Sequence, residues 1–85
     1  RLEEALNYFK KAYTIDASDH EVITNMANVY FVRQDFNQAL SYYTKAIEIN
    51  PNEHVYYNRA LCYGQLGNSS LAQLDYENSL RYKQP

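Results

Sequence analysis

The stretch "ALNYFKKAYTIDA", Ala5 to Ala17, returns as "ALSYYTKAIEINP" from Ala39 to Pro51, thirty-four residues further on. Ala5 aligns with Ala39, Leu6 with Leu40, Tyr8 with Tyr42, Lys11 with Lys45, Ala12 with Ala46 and Ile15 with Ile49, while Phe9 faces Tyr43. A weaker third copy starts at Ala72, with Tyr76 and Ser79 at the aromatic and second small places. The segment between also recurs, "NMANVY" at Asn25–Tyr30 becoming "NRALCY" at Asn58–Tyr63, a shift of 33. Two segments repeating in alternation define a repeating pair of elements, the mark of a stacked array.

Each element has the apolar spacing of a helix. Phe36, Ala39, Leu40, Tyr43, Ala46 and Ile47 follow the i, i+3, i+4, i+7 pattern, as do Ile23, Met26, Ala27 and Tyr30. Ser18 with Glu21, and Asp35 with Gln38, have the spacing of capping boxes, while Pro51 and Gly67 fall where helices should stop. The spacing predicts helices near 2–15, 20–33, 36–49, 53–66 and 69–83. Two Gly and two Pro leave too little turn chemistry for an all-β fold.

The period has a packing cause. Ala27, Ala39, Ala46, Ala60, Ala72 and Ser79 sit where a longer side chain would hold helices apart, and Tyr30, Tyr43, Tyr63 and Tyr76 supply bulk beside them. Small opposite large lets antiparallel helices approach to ~8–10 Å. One such pair buries too little to stand alone, so pairs must stack.

These markers resemble those of the tetratricopeptide repeat (TPR) family, whose unit carries small, aromatic and proline residues in this order. The resemblance spans essentially the whole chain and implies an all-α fold, antiparallel helix pairs stacked as a right-handed α-solenoid. It divides 1–85 into the second helix of a first repeat (1–17), one repeat at 18–51 and another at 52–85, in a single domain. Ala17 stands where proline is usual, Ile23 and Tyr56 where tryptophan is common, Arg59 in a normally apolar place, and Gln73 where Leu40 sits in the preceding copy.

Function follows as an expectation from the same resemblance. TPR proteins bind an extended peptide or a helix of another protein in a concave groove lined by the first helix of each pair. Carried onto this chain, the groove is lined by Glu21, Thr24, Asn25, Asn28, Phe31 and Val32 from one helix and His54, Tyr57, Asn58, Leu61 and Gln65 from the next. Asparagine amides both donate and accept, and aromatic rings anchor a ligand at low entropic cost. One TPR subclass clamps the acidic tail of heat-shock chaperones with lysines, asparagines and an arginine. Asn28 and Asn58 match two asparagine places, but Thr24 replaces the first lysine; in the other register Asn25 fits, and His54 and Asn58 stand where Lys and Arg belong. Without those cations a carboxylate loses its charge-assisted contacts, so a complete clamp is not expected. The alternative expectation is an interior structural segment of a longer solenoid, or a self-associating module using terminal helix faces, with no groove ligand.

Other functions find little support. A net charge of −2 with interspersed signs gives no reason to expect nucleic acid or an anionic membrane, and no apolar run approaches the ~20 residues of a span. His20 and His54 lack the spacing of a metal site and read as surface residues; no metal or cofactor is expected. Cys62 sits beside the packing face and reads as a core residue rather than a nucleophile. No catalytic motif is present, so the expectation is a scaffold or adaptor, not an enzyme. The lone cysteine fits a reducing, cytoplasmic setting, and the start on Arg1 suggests an excised piece. Asn68-Ser69-Ser70 matches a glycosylation triplet in an expected loop and is discounted. Leu71 and Leu74 fall off the stripe of Ala72, Tyr76 and Ser79, reflecting either a shifted register or an apolar patch.

Overall fold

A computed structural model describes residues 1–83. It contains α1 (Leu2–Ile15), α2 (His20–Val32), α3 (Phe36–Ile49), α4 (Glu53–Gln65) and α5 (Ser69–Tyr82), each packed chiefly on its neighbours in sequence. The helices form an all-α solenoid of antiparallel pairs, with α2/α3 and α4/α5 as the two complete hairpins.

Packing follows the small-and-large phase for the most part. Ala27, Ala39, Ala46, Ala60, Ala72 and Ser79 are all buried. Tyr43, 2% exposed, fills the space between α3 and its neighbours with Ile23, Ala27, Val55 and Cys62 in one core. On the opposite side, aromatic contacts tie the layers together: Tyr42 stacks on Tyr30 with centroids 5.5 Å apart and meets the Tyr13 ring edge-on. Lys45 lies over Tyr42 and Tyr13, which joins α1 to α3.

Two aromatic expectations need correction. Tyr63 is only half-buried, and Tyr76 is 36% exposed, tilted against Tyr57 instead of filling the core. Tyr76 occupies the place of Tyr43, but no later helix among the described residues covers it. The register of α5 is not shifted, because Ala72, Asp75 and Ser79 are its buried residues; Leu71 and Leu74 therefore lie on an open face.

The helix starts also differ from the expected capping boxes. Asp19, not Ser18, caps α2, accepting from the backbone N–H of Glu21 and Val22. The Ser18 hydroxyl and backbone N–H are instead donated to Asp16, and these bonds, the hydroxyl's foremost, hold the Asp16 carboxyl below its ordinary value. Asp35 stands at the α3 N-cap without a side-chain cap bond. Asn52 and Asn68 cap α4 and α5 through their side-chain oxygens, so Asn68 belongs to a helix start and not to a free loop.

Both first helices of the hairpins end in the same motif. Asp35 N–H donates to Tyr30 O and Gln34 N–H to Phe31 O; Asn68 N–H donates to Tyr63 O and Gly67 N–H to Gly64 O. This is the Schellman arrangement, which needs a left-handed residue just past the helix. Gln34 at φ 66° and Gly67 at φ 79° fill that position.

Candidate functional site

The motif just described turns the chain back so that α3 lies behind α2 and α5 behind α4. One face of α2 is thereby left beside one face of α4, and Asn28 meets Asn58 across the gap. Asn58 Nδ2 donates to Asn28 Oδ1 at 3.4 Å, and the Tyr43 hydroxyl, from α3 beneath, donates to the same oxygen at 2.5 Å. Burial pushes the Tyr43 phenol well above its ordinary value, with Cys62 adding to the effect. A neutral phenol thus supports Asn28 from below. Asn28's oxygen is committed twice, whereas its N–H groups and the oxygen of Asn58 make no side-chain hydrogen bond among the described residues.

Two cavities open along this face. The first, about 180 Å³, is lined by Asn28, Phe31, Val32, Tyr43, Asn58 and Leu61. Its walls are largely apolar, with the two asparagines as the polar rim. The second, about 440 Å³, is lined by His20, Glu21, Thr24, Asn25, Asn50, Asn52 and His54. It lies at the N-terminal ends of α2 and α4.

The structure distributes the anticipated groove residues between these cavities. Asn28, Phe31, Val32, Asn58 and Leu61 line the first; Glu21, Thr24, Asn25 and His54 line the second. Tyr57 and Gln65 line neither: Tyr57 is turned toward Tyr76 of α5, and Gln65 is exposed at the end of α4. Sequence reasoning missed Tyr43, which serves at once as core residue and cavity wall. It also missed the contributions of His20, Asn50 and Asn52. The last two flank Pro51 in the α3–α4 connection, where helical periodicity carries no signal.

The two histidines come to the same cavity, but His20 is half-buried and not a free surface residue. Asn50 Nδ2 lies 2.9 Å from His20 Nε2. The same amide nitrogen lies 3.5 Å from Nδ1, so the Asn50 side chain holds the ring against the α3–α4 connection. Among the described residues no three His, Cys, Asp or Glu side chains are grouped to hold a metal ion. Cys62 is fully buried; its thiol donates to Phe36 O at 3.1 Å, and burial pushes its pKa up to about 11. That is an inert core thiol. No helix among the described residues is long and apolar enough to cross a membrane.

Comparison with known proteins agrees with this geometry. Tetratricopeptide repeat family models match residues 20–53 and 53–84. The chain is 40% identical over 62 residues to DnaJ homolog subfamily C member 7 of Mus musculus, covering 72% of the chain and 13% of that protein. It is 43% identical over 44 residues to serine/threonine-protein phosphatase 5 of Homo sapiens, covering 51% of the chain and 9% of that protein. It is also 33% identical over 60 residues to tetratricopeptide repeat protein 6 of Homo sapiens, covering 69% of the chain and 12% of that protein. The chain thus spans only a small fraction of the length of each relative. The stacked hairpins, the buried small residues and the two successive matches make one case: the chain belongs to the tetratricopeptide repeat family.

Proposed function

We propose that this chain is a protein–protein interaction module that binds an extended segment of a partner protein along the α2–α4 face. One observation carries the reading. The Tyr43–Asn28–Asn58 network holds two asparagine amides in the wall of a small apolar cavity, with the Asn28 N–H groups and the Asn58 oxygen free of side-chain hydrogen bonds among the described residues. A peptide in extended form has a free N–H and C=O at each residue to meet such a pair, whereas a helix uses its own internally. The cavity accepts one apolar side chain: about 180 Å³ exceeds the ~150 Å³ apolar void that takes up a benzene molecule. Membership of the tetratricopeptide repeat family supports a protein–protein interaction role in general.

The test uses acetylated, amidated nonapeptides with a fixed central leucine in a Ser/Thr/Gly background, with binding read by fluorescence polarisation. Asn28→Asp keeps the oxygen that Tyr43 and Asn58 need but deletes the free N–H groups, and should weaken binding about tenfold. Asn58→Asp adds the same charge at nearly the same place and keeps an acceptor there; it gives up only the long 3.4 Å donor to Asn28, leaving the Tyr43 bond and the Asn28 N–H groups, and should weaken binding less. No binding by any leucine peptide, or binding indifferent to both variants, overturns the groove assignment.

A second reading, self-association, has its own observation. Leu71 and Leu74 are exposed together on one side of the buried stripe of α5, with Leu74 at 49%. Sedimentation decides it: a monomer at high concentration removes self-association, and a dimer broken by Leu74→Glu would support it.

A further inference from the structure

The larger cavity differs from its neighbour in what its walls can still offer. Most of its donors are already engaged. The Thr24 hydroxyl donates to His20 O at 2.8 Å, Asn50 Nδ2 to His20 Nε2 at 2.9 Å, and Asn52 Nδ2 to Asn50 O at 3.0 Å. Two acceptors are engaged as well, Asn52 Oδ1 by the Val55 N–H and the His20 ring by Asn50, but the Glu21 carboxylate makes no ion pair among the described residues and the side-chain oxygen of Asn50 accepts no hydrogen bond among them. Asn25 and His54 complete the wall and can act either way. Neither cavity is lined by a lysine or arginine. Arg59, the cation carried by α4, is turned away from the groove and held by Asp75.

A wall with an unpaired carboxylate, a free amide oxygen and no lysine or arginine suits a ligand group that only donates. Ammonium and guanidinium groups are such groups. We infer that the partner segment carries a lysine or arginine that enters the His20–His54 cavity beside Glu21, while an apolar residue of the same segment fills the Asn28–Asn58 cavity. This rests on the groove reading and adds a charge and a spacing to it. Glu21 and Asn28 are seven residues apart on α2, or ~10 Å along the axis at ~1.5 Å per residue. An extended chain advances ~3.3 Å per residue, which places the cation about three positions from the apolar anchor. The same wall disfavours a ligand whose C-terminal carboxylate would lie against Glu21, the reverse of a cationic clamp.

The experiment extends the leucine nonapeptide series by placing Lys, Arg, Gln or Glu at each position in turn. Lysine or arginine about three residues from the leucine should bind about five-fold more tightly than glutamate there, as expected of a partly exposed pair scored against its reversal. Raising the salt should narrow the gap. Glu21 is exposed, so Glu21→Gln should leave the fold intact; it should erase most of the charge preference and keep the preference for leucine. Glu21→Lys should invert the charge preference. If leucine peptides bind and respond to Asn28→Asp without any charge preference, the cation inference is overturned while the groove stands. If neither the leucine nor the asparagine matters, the groove assignment itself falls and takes this inference with it.

Discussion

Arg59 of α4 grips Asp75 of α5 with two N–H groups, Nε at 2.6 Å from Oδ2 and Nη2 at 3.0 Å from Oδ1. Asp75 is 1% exposed, and Asn78 adds a weaker donor at 3.4 Å. The guanidinium lies between the Tyr56 and Tyr63 rings and also reaches Thr44 of α3 at 3.2 Å. One side chain therefore ties three successive helices together. In the preceding hairpin the equivalent places hold Met26 and Tyr42, an apolar residue and an aromatic one. Where one repeat carries a buried methionine and a half-buried tyrosine at these two places, the next carries an ion pair.

The exchange predicts a marked asymmetry between single and double variants. Asp75→Ala leaves a largely buried guanidinium unpaired and should cost ~3–5 kcal/mol in urea unfolding, and Arg59→Met should cost a similar amount by stranding the carboxylate. The double variant Arg59→Met with Asp75→Tyr restores the Met26/Tyr42 pattern and should recover most of that loss. Additive losses in the double variant would show that the two places are not interchangeable packing solutions.

The same pair shows what a sequence reading can and cannot see. Helix limits were legible to within a residue because the apolar spacing repeats, and each copy corroborates the others. Arg59 was visible as a departure from an apolar place, but Asp75 was not connected to it. Helical periodicity reports which positions face inward, not which of them meet. The available signal was the coincidence of opposite charges in two inward places of one hairpin. Caps failed for a related reason: Ser18 and Asp19 both have capping chemistry, and only the competing bond from Ser18 to Asp16 decides between them. Tyr57 falls outside both cavities because its ring is drawn to that of Tyr76, which no later helix among the described residues covers.

The two Schellman corners predict opposite effects of opposite substitutions. Gly67→Ala introduces a Cβ that meets nothing within 4 Å, so its cost is conformational and should be ~1 kcal/mol from the positive φ alone. Gln34→Gly relieves the same strain and gives back part of it as unfolded-chain entropy, for a net gain of ~0.5 kcal/mol. Thermal unfolding of both variants checks the pair. A stabilised Gly67→Ala would sink the account.

Small residues are predicted to matter by place rather than by type. Ala39 is fully buried, and Ala39→Leu should push neighbouring helices apart at a cost of ~1–3 kcal/mol. Ala5 holds the equivalent place on α1 but is only half-buried, so Ala5→Leu should change stability by ~0.5 kcal/mol or less. Equal costs at the two positions would mean that spacing between helices is not set by these alanines.

Alkaline pH should loosen the core through Cys62 and Tyr43. Burial raises the Cys62 thiol from 9.0 to about 11, and raises the Tyr43 phenol as well. In both cases the folded state holds its proton more tightly than the unfolded chain. The stability that Cys62 contributes is therefore fully present below pH 9.0 and is lost as pH rises toward about 11, because the unfolded thiolate forms first. Tyr43 extends the decline upward from the ordinary tyrosine range. Urea midpoints measured from pH 8 to 11 should fall, and Cys62→Ser, whose hydroxyl can still donate to Phe36 O, should flatten the first part of that decline while leaving the Tyr43 part. An identical decline in Cys62→Ser would show that the thiol ionises no later in the folded protein than in the unfolded chain.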